Sequence, residues 1–266
     1  MAAIRLLTPA DLPALLHLSR SASWNQTADD WARLIALEPS GCFGIELDGT
    51  LAASATVVCY PPDLAWLGMV LTFPEYRGRG LARRIVEHAI AYSGRRTVRL
   101  DASAMGQPLY ESLGFVEECA VERWLRGPAS AAADIGSEAF VYLHSLDAEA
   151  FGADRSLLIG RLAEHEAASL SDSSFALGRP GLNAAYFGPC LSTTPTAARR
   201  LLQWFLARHP GAPVFWDLFP HHRHAAELAA EFAFRPVRRL TRMSIHASAR
   251  VLPDARIYAI AGFEYG

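Results

Sequence analysis

Residues 66–82, WLGMVLTFPEYRGRGLA, join three elements in one short span. The run Trp66–Phe73 is continuously apolar and has the length of a buried strand. Pro74 stops it, and Arg77-Gly78-Arg79-Gly80 forms a loop. From Leu81 onward the apolar residues Ile85, Val86, Ala89 and Ile90 recur on one helical face. A strand therefore feeds a glycine-rich loop that opens a helix. The first N–H groups of a helix have no intrahelical partners, and the helix dipole presents partial positive charge there. Gly78 and Gly80 let the main chain approach a ligand closely, and Arg77 and Arg79 add two permanent cations. These features describe a cradle for a phosphorylated ligand such as a pyrophosphate.

Arginine-glycine pairs also occur in flexible RNA-binding segments, so the loop needs its context. Arg77-x-x-Gly80-x-Ala82 resembles the Arg/Gln-x-x-Gly-x-Gly/Ala loop with which GNAT-superfamily N-acetyltransferases hold the pyrophosphate of acetyl-CoA. Leu109-Tyr110-Glu111-Ser112-Leu113-Gly114-Phe115 resembles the second signature of that family, L-Y-x-x-x-G-F. The two occur in the family's order with one strand-sized segment between them. The resemblance implies an α/β (α+β) fold: a tandem GNAT architecture with mixed central sheets flanked by helices. It also implies acetyl-CoA as acyl donor, with no metal.

Composition bounds the remaining possibilities. A chain of 266 residues is about right for two domains of roughly 130. Hydrophobic residues make up 51% and charged residues 20%, which describes a folded protein with a sizeable core. A net charge of −2 gives no reason to expect nucleic-acid binding. The chain contains no lysine, so a lysine base or lysine self-acetylation is excluded. Cys42, Cys59, Cys119 and Cys190 lie far apart without a C-x-x-C pair, the pattern of reduced thiols in a cytoplasmic protein. No signal-like start and no run of membrane-spanning length are present, so a soluble protein is expected.

Along the chain, Ile4–Leu7 reads as a strand and Thr8-Pro9 as a helix start. Thr27-Ala28-Asp29-Asp30 resembles a capping box leading into Trp31–Leu37. In GNAT folds the connection between these helices lines the acceptor side, so Trp24 is either a wall of the substrate site or an aromatic packing the helices together. Cys42–Leu47 and Thr50–Tyr60 flank Asp48-Gly49, a type I′ hairpin signal. Thr97–Ala102, Gln107–Leu113 and Phe115–Trp124 then read as strand, short helix and strand. The expected division is residues 1–126, a linker 127–137, and 138–266. A single helical pattern is expected over Asp147–Glu166, with Asp154 at a helix start and Arg155 on the surface, unless both belong to the acceptor site.

The second half repeats the first by spacing. Ala82-Arg83-Arg84 is followed by Asp101, and Ala198-Arg199-Arg200 by Asp217, at the same interval. Phe115 precedes Glu122-Arg123-Trp124 as Phe234 precedes Thr241-Arg242-Met243. The second unit lacks the chemistry, however. PCLSTTPTAA, at 189–198, holds no arginine or glycine where the cradle should be, and the counterpart of Tyr110 is Ala229. One acetyl-CoA site per chain is expected, in the first unit. His221, His222 and His224 crowd one loop without the converging spacing of a metal site, which favours solvated side chains over ligands.

The resemblance implies roles for named residues. Backbone N–H groups of Val70, Leu71 and Thr72 would pair with the pantetheine arm, and that of Leu71 would stabilise the oxyanion. Arg77, Gly78, Arg79, Gly80, Leu81 and Ala82 would hold the pyrophosphate. Ser103 would lie near the pantetheine arm. Asp101, where the family mostly has Asn, would face the substrate. Tyr110 is either the general acid for the leaving thiolate or a core aromatic beside Phe115. A water chain and a carboxylate are equally compatible with the general base. The expected reaction is direct attack by a primary amine in a ternary complex. The acceptor would be a small molecule or a protein N-terminus, without nucleic-acid or membrane partners; the oligomeric state is not readable. The near-neutral charge argues against a strongly cationic acceptor. A non-catalytic acyl-CoA-binding sensor or scaffold is the alternative.

Overall fold

The computed structural model describes residues 3–129, 139–170, 173–247 and 252–266. Local start and stop signals shape its first half. β1 (Ile4–Leu6) leads into α1 (Leu12–Ser21). α2 (Ala28–Leu37) begins at a capping box, in which Asp30 N–H donates to Thr27 Oγ1 at 3.3 Å and Thr27 N–H donates to the Asp30 carboxylate at 2.9 Å. β2 (Cys42–Leu47) and β3 (Thr50–Tyr60) meet at Asp48 and Gly49, whose φ angles of +52° and +73° suit a type I′ hairpin. There follow β4 (Leu64–Thr72), α3 (Leu81–Ser93), β5 (Thr97–Ala102), α4 (Gln107–Ser112) and β6 (Val116–Arg126).

The same order recurs in α5 (His144–Phe151), α6 (Ser156–Ala163), β7 (Glu166–Leu170), β8 (Ser174–Arg179), β9 (Ala185–Leu191), α7 (Pro195–Arg208), β10 (Val214–Leu218), α8 (Arg223–Glu231) and β11 (Arg235–Ile245). A short β12 (Ile257–Ala259) follows. Equivalence extends to single bonds: Phe115 N–H donates to Tyr110 O at 3.0 Å, and Phe234 N–H to Ala229 O at 2.9 Å. Within the expected linker, 130–137 lie outside the described residues.

The single helix expected over Asp147–Glu166 is two helices and the start of β7. Gly152, at φ +87°, takes the left-handed conformation that ends α5. Arg155 is not on the surface. It is buried, donating to both Asp147 carboxylate oxygens at 3.0 and 2.8 Å and to Gly266 O at 3.3 Å. A buried guanidinium is tolerated when a carboxylate and further acceptors replace its water. Asp154 does sit at a helix start, its carboxylate accepting from Ser156 N–H at 2.9 Å.

The central sheets of the two halves are fused into one, in the order β1-β2-β3-β4-β5-β11-β6-β10-β9-β8-β7, with β12 beside β9. The last strand of each half is exchanged. β11 pairs antiparallel with β5, β6 pairs antiparallel with β10, and the two exchanged strands pair with each other at the centre. Each exchanged strand carries an arginine to the partner half's buried aspartate. Arg242 grips Asp101 at 2.9 and 3.0 Å, and Arg123 grips Asp217 at 2.8 and 2.7 Å. The sequence repeat that relates Asp101 to Asp217 and Arg123 to Arg242 therefore marks two crossed ion pairs.

The sheet is covered on both faces. One core joins Leu15, Leu18, Trp31 and Leu34 of α1 and α2 to Leu158, Ile159 and Leu162 of α6. Two further cores lie under α3 and under α7. Along β4, Trp66 belongs to the first core and its neighbours Ala65 and Leu67 to the core under α3, as period-two alternation in a doubly covered strand requires.

Candidate active site

The site begins where β4 and β5 part. They pair in parallel only at Leu64–Thr97, Ala65–Val98 and Trp66–Arg99. Beyond Trp66, β4 bends: Met69 has φ +50°, the β3 register shifts between Ser54 and Thr56, and Ser54 Oγ donates to Met69 O at 2.8 Å. Past the parting, the β5-facing backbone of β4 has no strand beside it among the described residues, and an extended ligand arm can pair there. The opening is a cavity of about 590 Å³ including its mouth.

Gly68 and Val70 of β4 line this cavity, with Asp101, Ser103 and Tyr110 opposite. Leu71, the expected oxyanion donor, lies opposite Ser54 with its side chain buried in the core; Met69 and Val70 are its neighbours that line the cavity. Tyr110 is buried and packs edge-on to Phe115 at 5.7 Å. Burial pushes its phenol up, so it is held protonated. Ser103 Oγ accepts from Gly106 N–H at 3.2 Å, fixing the turn into α4. Asp101 is committed to Arg242; burial raises its carboxyl, with the guanidinium opposing the shift. Trp24 both lines the cavity and packs on the core beneath α1 and α2.

The expected cradle sits at the start of α3. Gly78 and Gly80 have φ +77° and +74°, a region that disfavours side chains, and a Cβ at either would meet nothing within 4 Å. The N-cap of α3 is Gly80, which has no side chain to cap the helix, and no side-chain cap is seen there among the described residues. Arg77 Nε donates to Thr72 O at 3.3 Å, and Arg79 lies over the Tyr76 ring at 5.1 Å. Thr72 Oγ1 is buried without a hydrogen-bond partner among the described residues. Open space, an uncapped helix start, two guanidiniums and an orphaned hydroxyl are what the phosphates and polar arm of acyl-CoA need.

The second unit is closed at the equivalent places. Thr194 Oγ1 accepts from Ala197 N–H at 3.2 Å, capping α7. β9 and β10 also part after three parallel pairs, but β12 lies against β9 there, and Ile260 N–H donates to Asp217 O at 3.1 Å. Ala229 is buried in the core under α7. His222 Nδ1 accepts from Ala225 N–H at 3.1 Å, so this histidine serves as a helix cap.

Several cavity residues carry no sequence motif. Gln26 comes from the loop that holds Trp24, whereas Arg238 and Glu264 come from the second half. Gly68 lets Glu264 pass close by, since a Cβ there would lie 2.9 Å from Glu264 O. Glu264 is buried, accepting from Arg179 Nη2 at 2.9 Å and from Gln26 Nε2 at 3.3 Å; burial raises its carboxyl, with Arg179 opposing. Arg238 reaches the first unit on the exchanged strand β11 and Glu264 on the segment after β12, so the first unit's own sequence could not reveal either. Among the described residues no disulfide joins the four cysteines, no three metal-ligating side chains cluster, and no helix is long and apolar enough to cross a membrane.

Comparison with known proteins agrees with this geometry. The profile of the acetyltransferase (GNAT) family matches residues 11–115, and that of an acetyltransferase (GNAT) domain matches residues 143–259. The chain is 25% identical over 237 residues to the uncharacterized N-acetyltransferase YitH of Bacillus subtilis strain 168, covering 83% of each. The crystal structure of a candidate acetyltransferase from Pyrococcus horikoshii shares the fold at a TM-score of 0.86 and 20% identity, over 99% of this chain and 95% of that one. A tandem GNAT protein from the clavulanic acid biosynthesis pathway shares it at a TM-score of 0.63, with 12% identity over 94% of this chain and 100% of that one. With both halves matched and the cleft intact in the first, the chain belongs to the GNAT N-acetyltransferases and carries two domains of that family in tandem.

Proposed function

We propose that the chain transfers an acetyl group from acetyl-CoA to a primary amine, by direct attack in a ternary complex held in the first unit. The observation that carries this reading is the conjunction of an α3 start opened by two left-handed glycines, a β4 edge that parts from β5 after Trp66, and the buried Tyr110 lining the cavity beside that edge. Acetyl-CoA supplies a thioester already activated for transfer. Arg77 through Ala82 would hold its pyrophosphate, and Val70, Leu71, Thr72 and Ser103 its pantetheine arm. Backbone N–H groups between Met69 and Thr72 are fixed before reaction and would stabilise negative charge on the carbonyl oxygen. Tyr110 would donate its proton to the departing thiolate. Against ordinary values of about 10 and about 8.5 that transfer is uphill by roughly 2 kcal/mol, and burial lifts thiol and phenol in the same direction.

The second unit has no open cradle, which supports one acyl-CoA site per chain. The proposed division into 1–126, 127–137 and 138–266 follows the sequence repeat, and β6 and β11 cross it. Four unbridged cysteines support a cytoplasmic setting. The test is release of CoA thiol from acetyl-CoA across a panel of amines. Amine-dependent release that the Arg77→Glu protein lacks is expected; binding of acetyl-CoA without release to any amine would favour a non-catalytic acyl-CoA sensor.

A further inference from the structure

The inner end of the cavity carries charge that the acetyl-transfer chemistry does not use. Arg238 of β11 lies directly across from Arg123 of β6, and both line the cavity. Like charges facing each other across strands repel unless each has a counter-charge. Arg123 has one: Asp217 accepts two bonds from it and a third from the Tyr186 hydroxyl at 3.1 Å. Arg238 has none. It is half-buried with no ion pair among the described residues; it lies over the Trp24 ring at 6.0 Å, and the anion whose charge reaches it, Asp217, is already bonded to Arg123. Such a cation is costly to keep unless an anion comes to it.

A second, opposite vacancy lies in the same cavity. Gln26 is 8% exposed; its Nε2 donates to Glu264, and its Oε1 is buried without a partner among the described residues. An unmet acceptor of this kind calls for an N–H donor. The cavity therefore offers one unmet cation and one unmet acceptor, beside the residues that would receive the acetyl donor. The cradle residues Arg77–Gly80 do not line it, so the anion wanted here is not the pyrophosphate of the donor.

Resting on the acetyltransferase reading, we propose that the acceptor is a small amino-acid-type molecule, with its carboxylate read by Arg238 and its amine received by Gln26 Oε1. A carboxylate suits the site better than a phosphate dianion. One guanidinium is unpaired, and Glu264 and Asp101 already line the same walls.

The test uses the full chain and acetyl-CoA, with L-amino acids, their C-terminal amides and phosphoethanolamine as acceptors. Acids are expected to exceed their amides in kcat/KM by about tenfold to a hundredfold, mainly through KM, as loss of a charge-assisted bond implies. Arg238→Ala should collapse that preference, and Arg238→Lys should restore part of it. Acetyl-CoA binding by each variant reports that it has folded. Amides or phosphoethanolamine used as well as acids, a preference that survives Arg238→Ala, or no amino acid acetylated by a chain that binds acetyl-CoA would each overturn the proposal. Failure to bind acetyl-CoA would instead remove the acetyltransferase reading beneath it.

Discussion

Tyr110 is the residue proposed to pass a proton to the leaving thiolate, and burial keeps its phenol protonated. It lines the cavity, and its ring packs edge-on to Phe115. Tyr110→Phe keeps the ring packing and removes the proton. Turnover is expected to fall by about 10²- to 10⁴-fold, the usual weight of general acid catalysis, with acetyl-CoA affinity held within about twofold. Steady-state kinetics and a binding titration would check this, and unchanged turnover would remove Tyr110 from the mechanism. The glycine loop around Arg77 and the short helix that carries Tyr110 were legible in the sequence because local motifs fix them. The pleat of β4 was not, because the bulge at Met69 depends on pairing with β3, and no local residue dictates it.

At the scale of elements, the exchanged strands decide what the cleft contains. Hairpin, capping box and helix starts were readable from local chemistry. The exchange of β6 and β11 was not, since either strand could pair within its own half without changing its alternation. What the repeat did show was an aspartate and an arginine at matching places in both halves, and these form the crossed pairs at the centre of the sheet. Arg242→Ala would leave Asp101 buried without its partner, and a stability loss of about 3–5 kcal/mol is expected. Replacing Asp101 by Asn and Arg242 by Met together should lose less. Denaturant titrations of both proteins would decide, and a single variant as stable as the parent would contradict the account.

For the whole molecule, the exchange joins two family domains through one continuous sheet. β5 ends at an unpaired edge without β11, and β10 likewise without β6. A fragment of residues 1–126 would expose that edge together with the aspartate that Arg242 neutralises. It is expected to lack a cooperative monomeric transition in thermal melts, whereas the full chain shows one. A sharply melting monomeric fragment would contradict the reading. The second unit then acts as a structural partner: it closes its own cleft with β12 and lends Arg238 and Glu264 to the first.

The measurement that bears most directly on this account is a calorimetric titration of acetyl-CoA into the full chain and its Arg77→Glu variant. One equivalent bound per chain, with affinity weakened by about tenfold or more in the variant, is the predicted result. Two equivalents, or equal affinity in the two proteins, would contradict it.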